Sequence, residues 1–327
     1  MSEEEHNIQV FEVDELAHAV SGAAGGALSL AITYPLQTIT TKLQTQKKVE
    51  ADESLEKDDK DNKNRIAKLV KRIIEKDGVS GLYAGLESAL YGMTITNFVY
   101  YYFYEKTGTS FKKLRGNSQL NTLDTMSTGA IAGIITVLAT NPIWVANTRM
   151  TVNRTDKNTF TTIADIIKNE GTMNLYNGLK PALILVINPI IQYTIFEKLK
   201  NILLSFKDAH KSSKDKPFQL TANWAFLLGA LGKIAATSFT YPYLTVKTRM
   251  HIAQRNQKTE NGKKEQPPLL LDILKEEGFT GLYRGFGYKL FQSVFTVALL
   301  FYFKESLLFS SVRLLRLIRQ RKTIKQV

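Results

Sequence analysis

Long stretches without a charged residue alternate with short stretches crowded by charge. No Asp, Glu, Lys or Arg occurs from Leu16 to Thr41, Ser88 to Tyr104, Thr125 to Thr148, Pro181 to Phe196 or Leu290 to Phe303, and Leu220 to Val246 holds only Lys233. Six such windows approach or exceed the roughly 20 residues that carry a helix across a bilayer, but the weakest are short for a span, so hydropathy alone does not settle the count. They are not uniformly apolar, for they contain Gly, Ser, Thr, Asn, Gln and Pro. In lipid such polar groups must face protein or a wet cavity, which points to a transporter or channel. The competing reading is a soluble all-helical protein with long buried helices.

The windows repeat. Tyr34-Pro35-Leu36, Asn141-Pro142-Ile143 and Tyr241-Pro242-Tyr243 each lie late in an uncharged window, and seven positions after each proline stands Lys42, Arg149 or Arg249. A second phrase follows each: Asp77-Gly78 with Gly81-Leu82-Tyr83-Ala84-Gly85, Glu170-Gly171 with Leu175-Tyr176-Asn177-Gly178, and Glu277-Gly278 with Gly281-Leu282-Tyr283-Arg284-Gly285. Two phrases recurring in order three times define an internal repeat. The repeats are set at residues 16–111, 112–206 and 207–310, with an N-terminal tail over 1–15 and a basic C-terminal tail over 311–327.

Each unit reads as a long helix kinked at its proline (Pro35, Pro142, Pro242), a loop with a short amphipathic helix, and a second long helix. The short helices are expected near Arg65–Lys76, Thr161–Asn169 and Leu269–Glu276, each stopped by a glycine. Their apolar stripes, such as Ile66, Leu69, Val70 and Ile73, suit the membrane interface. Lys47–Asn64 and Gln254–Gln266, dense in charge, read as disordered. Pro189 is expected to kink the fourth long helix.

These phrases resemble the mitochondrial carrier family from about Ala17 to Leu308, strongly, because both motifs recur in all three repeats. The resemblance implies an all-α membrane protein. It would have six tilted helices in three pseudo-threefold repeats around a central cavity, with short interfacial helices and alternating access. Asn97-Phe98-Val99-Tyr100, Asn141-Pro142-Ile143-Trp144-Val145-Ala146-Asn147-Thr148-Arg149 and Asn188-Pro189-Ile190-Ile191-Gln192-Tyr193 resemble the family's peroxisomal adenine nucleotide carriers. Trp two residues after the second proline is also similar to carriers of nicotinamide and flavin nucleotides, folate and pyrimidine nucleotides.

In that family, acids and bases beside the kinks form an interhelical ionic gate. Here the acid positions hold Gln37, Trp144 and Leu244, and the base positions hold Thr40, Asn147 and Lys247, so three ion pairs are impossible. The opposite gate is depleted as well. Glu105 lacks its base, Glu197 keeps Lys200, and Glu305 lacks both aromatic and base. Hydrogen bonds and packing are expected to replace the lost pairs. Arg149 and Arg249 count with the gate, or anchor helix ends through carbonyls or lipid phosphate.

Positions six and two before each proline, and two and five after it, share one helical face. The face carries Ser29, Thr33, Gln37 and Thr40, then Thr136, Thr140, Trp144 and Asn147, then Ala236, Thr240, Leu244 and Lys247. A polar stripe repeated in this way suggests a shared aqueous cavity, against the alternative that Thr hydroxyls bond back to their own helices. Gly22/Gly26 and Gly129/Gly133 form Gly-xxx-Gly pairs suited to close helix approach, and the third copy replaces the second glycine by Lys233. An intramembrane lysine either reaches a substrate phosphate or snorkels. On the even-numbered helices Asn97, Asn188, Gln192, Lys289 and Gln292 add polar groups. The family resemblance places substrate contacts at Gly92, Ile184, Leu185 and Ser293. Ile184, Leu185 and Asn188 could form an apolar slot with an amide for a nucleobase. Lys233, Lys247, Lys289, Arg149 and Arg249 are the candidate phosphate partners.

Other chemistry finds little support. There is no cysteine, so no disulfide or thiol chemistry, and the four histidines lack metal-ligand spacing. No NTPase phosphate loop is present, and no cofactor or enzymatic activity is expected. The start, MSEEEHNIQV, lacks the pattern of a signal or transit peptide. A net charge of +13 suits anionic substrates and anionic lipid, and the basic C-terminus reads as an interfacial helix rather than a nucleic-acid arm. The loop with Lys198, Lys200, Lys207, Lys211, Lys214 and Lys216 resembles a region read by the peroxisomal membrane import machinery. The resemblance implies exchange of ATP for AMP or ADP across the peroxisomal membrane, supplying fatty-acid activation. The alternatives are a carrier of CoA, NAD, FAD or folate, in that membrane or the mitochondrial inner membrane, and a scaffold that has lost transport.

Overall fold

A proline inside a helix removes one N–H and strands the carbonyl four residues earlier. In the computed structural model, which describes residues 3–45, 62–116, 121–153, 157–209, 222–253, 269–300, 302–303 and 306–307, all three repeated prolines lie inside unbroken helices. These helices are α1 (Glu3–Thr45), α4 (Thr122–Asn153) and α8 (Ala222–Ile252). The stranded carbonyl of Ser238 in α8 accepts from Tyr283 Oη at 3.0 Å, so the repeated tyrosine repairs the break that Pro242 makes.

Each such helix is followed by a short amphipathic one: α2 (Asn62–Asp77), α5 (Thr159–Glu170) and α9 (Leu270–Leu282), the last bent at Gly278. Gly78, Gly171 and Gly278 have φ of 67°, 92° and 69°, a region open to glycine, which ends α2 and α5 and bends α9 where the sequence predicts a stop. The apolar stripes pack inward. Ile166 and Leu175 bury against Val145 of α4, and Ile273 and Leu282 against Val246 of α8. Ile74, Phe160, Ile167 and Leu271 of the same short helices stay exposed, which leaves apolar groups for the membrane interface.

The second long helices are α3 (Leu86–Arg115), the pair α6 (Leu179–Ile184) and α7 (Asn188–Ala209), and α10 (Phe286–Leu300). A 3₁₀ turn over Leu185–Ile187 separates α6 from α7 just before Pro189, whose ring crowds the carbonyl of Leu185 four residues earlier. Among the described residues every element is helical. Six membrane helices in three repeats result: α1, α3, α4, α6–α7, α8 and α10. Among the described residues, by length and hydropathy alone, only α4 and the segment Thr172–Phe206 are long and apolar enough to span, while Phe286–Leu300 is apolar but shorter. The others carry too many polar groups to pass, as a polar-lined carrier requires.

The chain divides into two compact units, residues 1–37 with 287–327, and residues 38–286. In the larger unit α3 packs along α4, and α7 along α8. Residues 46–61 and 254–268, which hold most of the two charge-dense stretches, lie outside the described residues. So do Lys211, Lys214, Lys216, Glu305 and the tail over 311–327.

Candidate functional site

Within each repeat, the long helix is pinned to the carbonyl of the Leu in its Leu-Tyr phrase. Thr38 and Thr245, three residues after their prolines, donate to Leu82 O and Leu282 O at 2.8 Å. Repeat two has Val145 there, and Asn141 Nδ2 donates to Leu175 O at 2.8 Å instead. A different side chain satisfies the same carbonyl, so the geometry survives the substitution.

The repeated glycine after the Tyr phrase sits against the next repeat. Gly178 has φ of 74°, and a Cβ there would lie 2.8 Å from the His251 ring and 3.0 Å from Lys247 O. Gly85 O accepts from Asn147 Nδ2 at 2.8 Å. Trp144, at the second depleted acid position, donates from Nε1 to Thr96 at 3.1 Å and lies over Gly92, where a Cβ would stand 3.3 Å from its ring. At this junction an aromatic wedge and an amide stand where the family resemblance puts ion pairs.

The arginines are committed. Arg249 forks to Glu277 at 2.5 and 3.0 Å and donates from Nε to Gln44 O at 2.9 Å, while Arg284 approaches Glu277 at 3.3 Å. Arg149 meets Glu170 at 2.5 Å and donates to His251 O and Ala253 O. Both guanidiniums tie their own acid-glycine phrase to the end of the next repeat's helix. On the opposite side, Lys200 pairs with Glu197 of its own helix at 3.0 Å.

A cavity of about 560 Å³ lies among α3, α4, α6–α7 and α8, within the range of about 300–1,000 Å³ usual for small-molecule sites. Tyr100, Tyr104 and Tyr193 line it with Leu185, Thr136 and Lys247. Two glycines make the room: a Cβ on Gly133 would stand 2.7 Å from Val186, and one on Gly129 would stand 3.4 Å from Tyr100 Oη. This Gly-xxx-Gly pair therefore admits side chains. In repeat three the close backbone approach falls at Gly232, where a Cβ would meet Gln192 O at 2.9 Å.

The expected site residues distribute unevenly. Leu185 and Lys247 line the cavity, and Ile184 beside them is exposed. Asn188 Nδ2 donates to Thr240 at 2.6 Å, Lys233 is half-buried away from this cavity, and Asn97 and Glu105 line an open groove on α3 with Phe98, Tyr101 and Lys106. In the smaller unit, Lys289 donates to Gln292 at 2.8 Å, Gln292 to Thr296 at 3.3 Å, and Thr296 to Thr33 at 2.9 Å. Gln37 and Ser293 are half-buried in that unit. The threonine stripe bonds back to its own helices, Thr33, Thr136, Thr140 and Thr240 each to the carbonyl four residues earlier at 2.7–2.8 Å. Thr240 then accepts from Asn188 of α7, and Thr33 from Thr296 of α10. Sequence reasoning missed the tyrosines, although Tyr100 and Tyr104, four apart on α3, mark one face.

The mitochondrial carrier protein model matches residues 12–115, 118–207 and 219–310. The chain belongs to the mitochondrial carrier family. It is 39% identical to peroxisomal membrane protein PMP47B of Candida boidinii, over 92% of this chain and 87% of that protein. It is 33% identical to the peroxisomal nicotinamide adenine dinucleotide carrier of Arabidopsis thaliana, over 90% and 95% of the two chains. It is 29% identical to peroxisomal adenine nucleotide carrier 1 of Arabidopsis thaliana, over 94% and 95%. This carrier is a multi-pass protein of the peroxisomal membrane that moves a small molecule, and it is not an enzyme.

Proposed function

We propose that this carrier exchanges ATP for AMP or ADP across the peroxisomal membrane by alternating access, feeding ATP-dependent activation of fatty acids inside. The observation that carries the reading is the cavity's chemistry. Three tyrosines and apolar side chains line its walls and offer a nucleobase surfaces for stacking, and Lys247 supplies a cation for a phosphate. With Arg149 and Arg249 held by Glu170 and Glu277, Lys247 is the basic residue in this cavity's lining. The similarity to an adenine nucleotide carrier supports the same assignment.

The similarity to a nicotinamide adenine dinucleotide carrier favours a second reading, in which the cargo is a larger adenine-containing nucleotide such as NAD, CoA or FAD. Liposomes carrying the purified protein and loaded with AMP, ADP, NAD, CoA or FAD separate the two. Fastest uptake of labelled ATP against internal AMP or ADP supports the first, and fastest exchange against NAD or CoA replaces it. Basic side chains of α7 such as Lys198, with Lys211, Lys214 and Lys216 after it in the sequence, are the proposed contact for the peroxisomal membrane import machinery. Neutralising them is expected to move the protein away from a peroxisomal marker.

A further inference from the structure

The depleted ionic gate leaves open what holds the ends of α1, α4 and α8 together. Four residues beyond that gate, about 6 Å along the helices, the larger unit carries a second tier of contacts between repeats. At the junction of repeats two and three, Thr148 Oγ1 lies 2.9 Å from His251 Nδ1. Thr148 also lies 2.8 Å from Trp144 O. A hydroxyl has one proton, so donating it to that carbonyl leaves Thr148 to accept from His251 Nδ1–H. Arg149 Nε donates to His251 O at 3.0 Å, and Asn177 Nδ2 to Ala253 O at 2.9 Å.

The junction of repeats three and one brings the corresponding positions together with the opposite hydrogen-bond polarity. Thr248 Oγ1 lies 2.9 Å from Leu244 O and 3.2 Å from Gln44 Oε1, so its one proton is shared between two acceptors, while Gln44 Nε2 donates to Tyr241 Oη at 3.0 Å and Arg249 Nε to Gln44 O at 2.9 Å. The positions correspond: Thr148 and Thr248 stand six after their prolines, Arg149 and Arg249 seven, and His251 and Gln44 nine. His251 is 2% exposed and Gln44 4%, so water does not compete for these bonds.

We infer that the kink-side face of this carrier is held shut by this hydrogen-bonded tier, Thr148–His251 and Thr248–Gln44 with their arginines, in place of the ionic gate. These are positioning residues, for they touch no part of the cavity. Opening that face requires both junctions to part, and the tier sets how often they do. The two junctions differ in polarity: His251 donates to Thr148, whereas Gln44 turns its Oε1 to Thr248, and a glutamine amide, which carries both a donor and an acceptor end, can take either part.

The chain has no cysteine, so one introduced thiol reports on its own position. Thr40→Cys, at a gate position 2% exposed, is labelled with a maleimide in detergent without nucleotide, which keeps the result independent of the substrate assignment. Thr148→Val or His251→Leu should raise the labelling rate about fivefold, the population shift that one lost hydrogen bond produces. His251→Gln should restore the parent rate. An unchanged rate in folded Thr148→Val and His251→Leu proteins would overturn the inference. So would an equal rise at Ala89→Cys, buried in α3, since that marks general loosening.

Discussion

Removing either partner of the Arg249–Glu277 pair is the most informative test of how repeat three is fastened. The side chains are 6% and 4% exposed, two guanidinium nitrogens meet the two carboxylate oxygens, and Arg284 adds a contact at 3.3 Å. Breaking a buried pair costs about 3–5 kcal/mol, because the partner left behind keeps its desolvation penalty. Arg249→Ala also loses the bond to Gln44 O but leaves Glu277 beside Arg284, so it should fall near about 3 kcal/mol. Glu277→Ala strips the carboxylate from two buried guanidiniums and should cost about 4–5 kcal/mol. The double variant should cost about 2–3 kcal/mol less than the sum. Unfolding of the purified protein, titrated from mild detergent into SDS, gives the three values. Additive effects, or Arg249→Ala costing more than Glu277→Ala, would refute the reasoning.

Gly178→Ala and Gly116→Ala both place alanine in a left-handed conformation, but only the first meets neighbours within 4 Å. The first should cost about 1–3 kcal/mol more in the same unfolding assay. Trp144→Phe and Thr96→Val each remove one hydrogen bond and should each cost about 0.5–1.5 kcal/mol, with the pair costing little more than either alone. Lys247→Ala should lower nucleotide exchange in liposomes about tenfold or more if the lysine meets a phosphate, as loss of a charge-assisted bond of about 1.5–3 kcal/mol implies. Lys233→Ala, away from the cavity, should have the smaller effect.

The three repeats were legible because their signals are local. A proline strands a carbonyl and a glycine supplies a positive φ, so Pro142 and Gly171 act through backbone chemistry that needs no partner in view. What was not legible depends on the register between helices. Thr148 and His251 are 103 residues apart, and nothing in either neighbourhood announces their contact. Gly133 follows a helix-packing pattern, yet the group it admits is the Val186 side chain, placed by a 3₁₀ turn that the sequence shows only as Pro189. The threonine stripe was found by spacing, but spacing cannot tell a wet face from hydroxyls bonded to their own helix. Leu185 and Lys247, named from the sequence, line the cavity, while the tyrosine wall was hidden among the many aromatics of α3.

Saturable uptake of labelled ATP into liposomes containing this protein and internal AMP tests the central claim most directly. The account predicts uptake that requires an internal adenine nucleotide and falls when Lys247 is replaced by alanine. Absence of saturable exchange with any nucleotide, in protein that is folded and membrane-inserted, would contradict it.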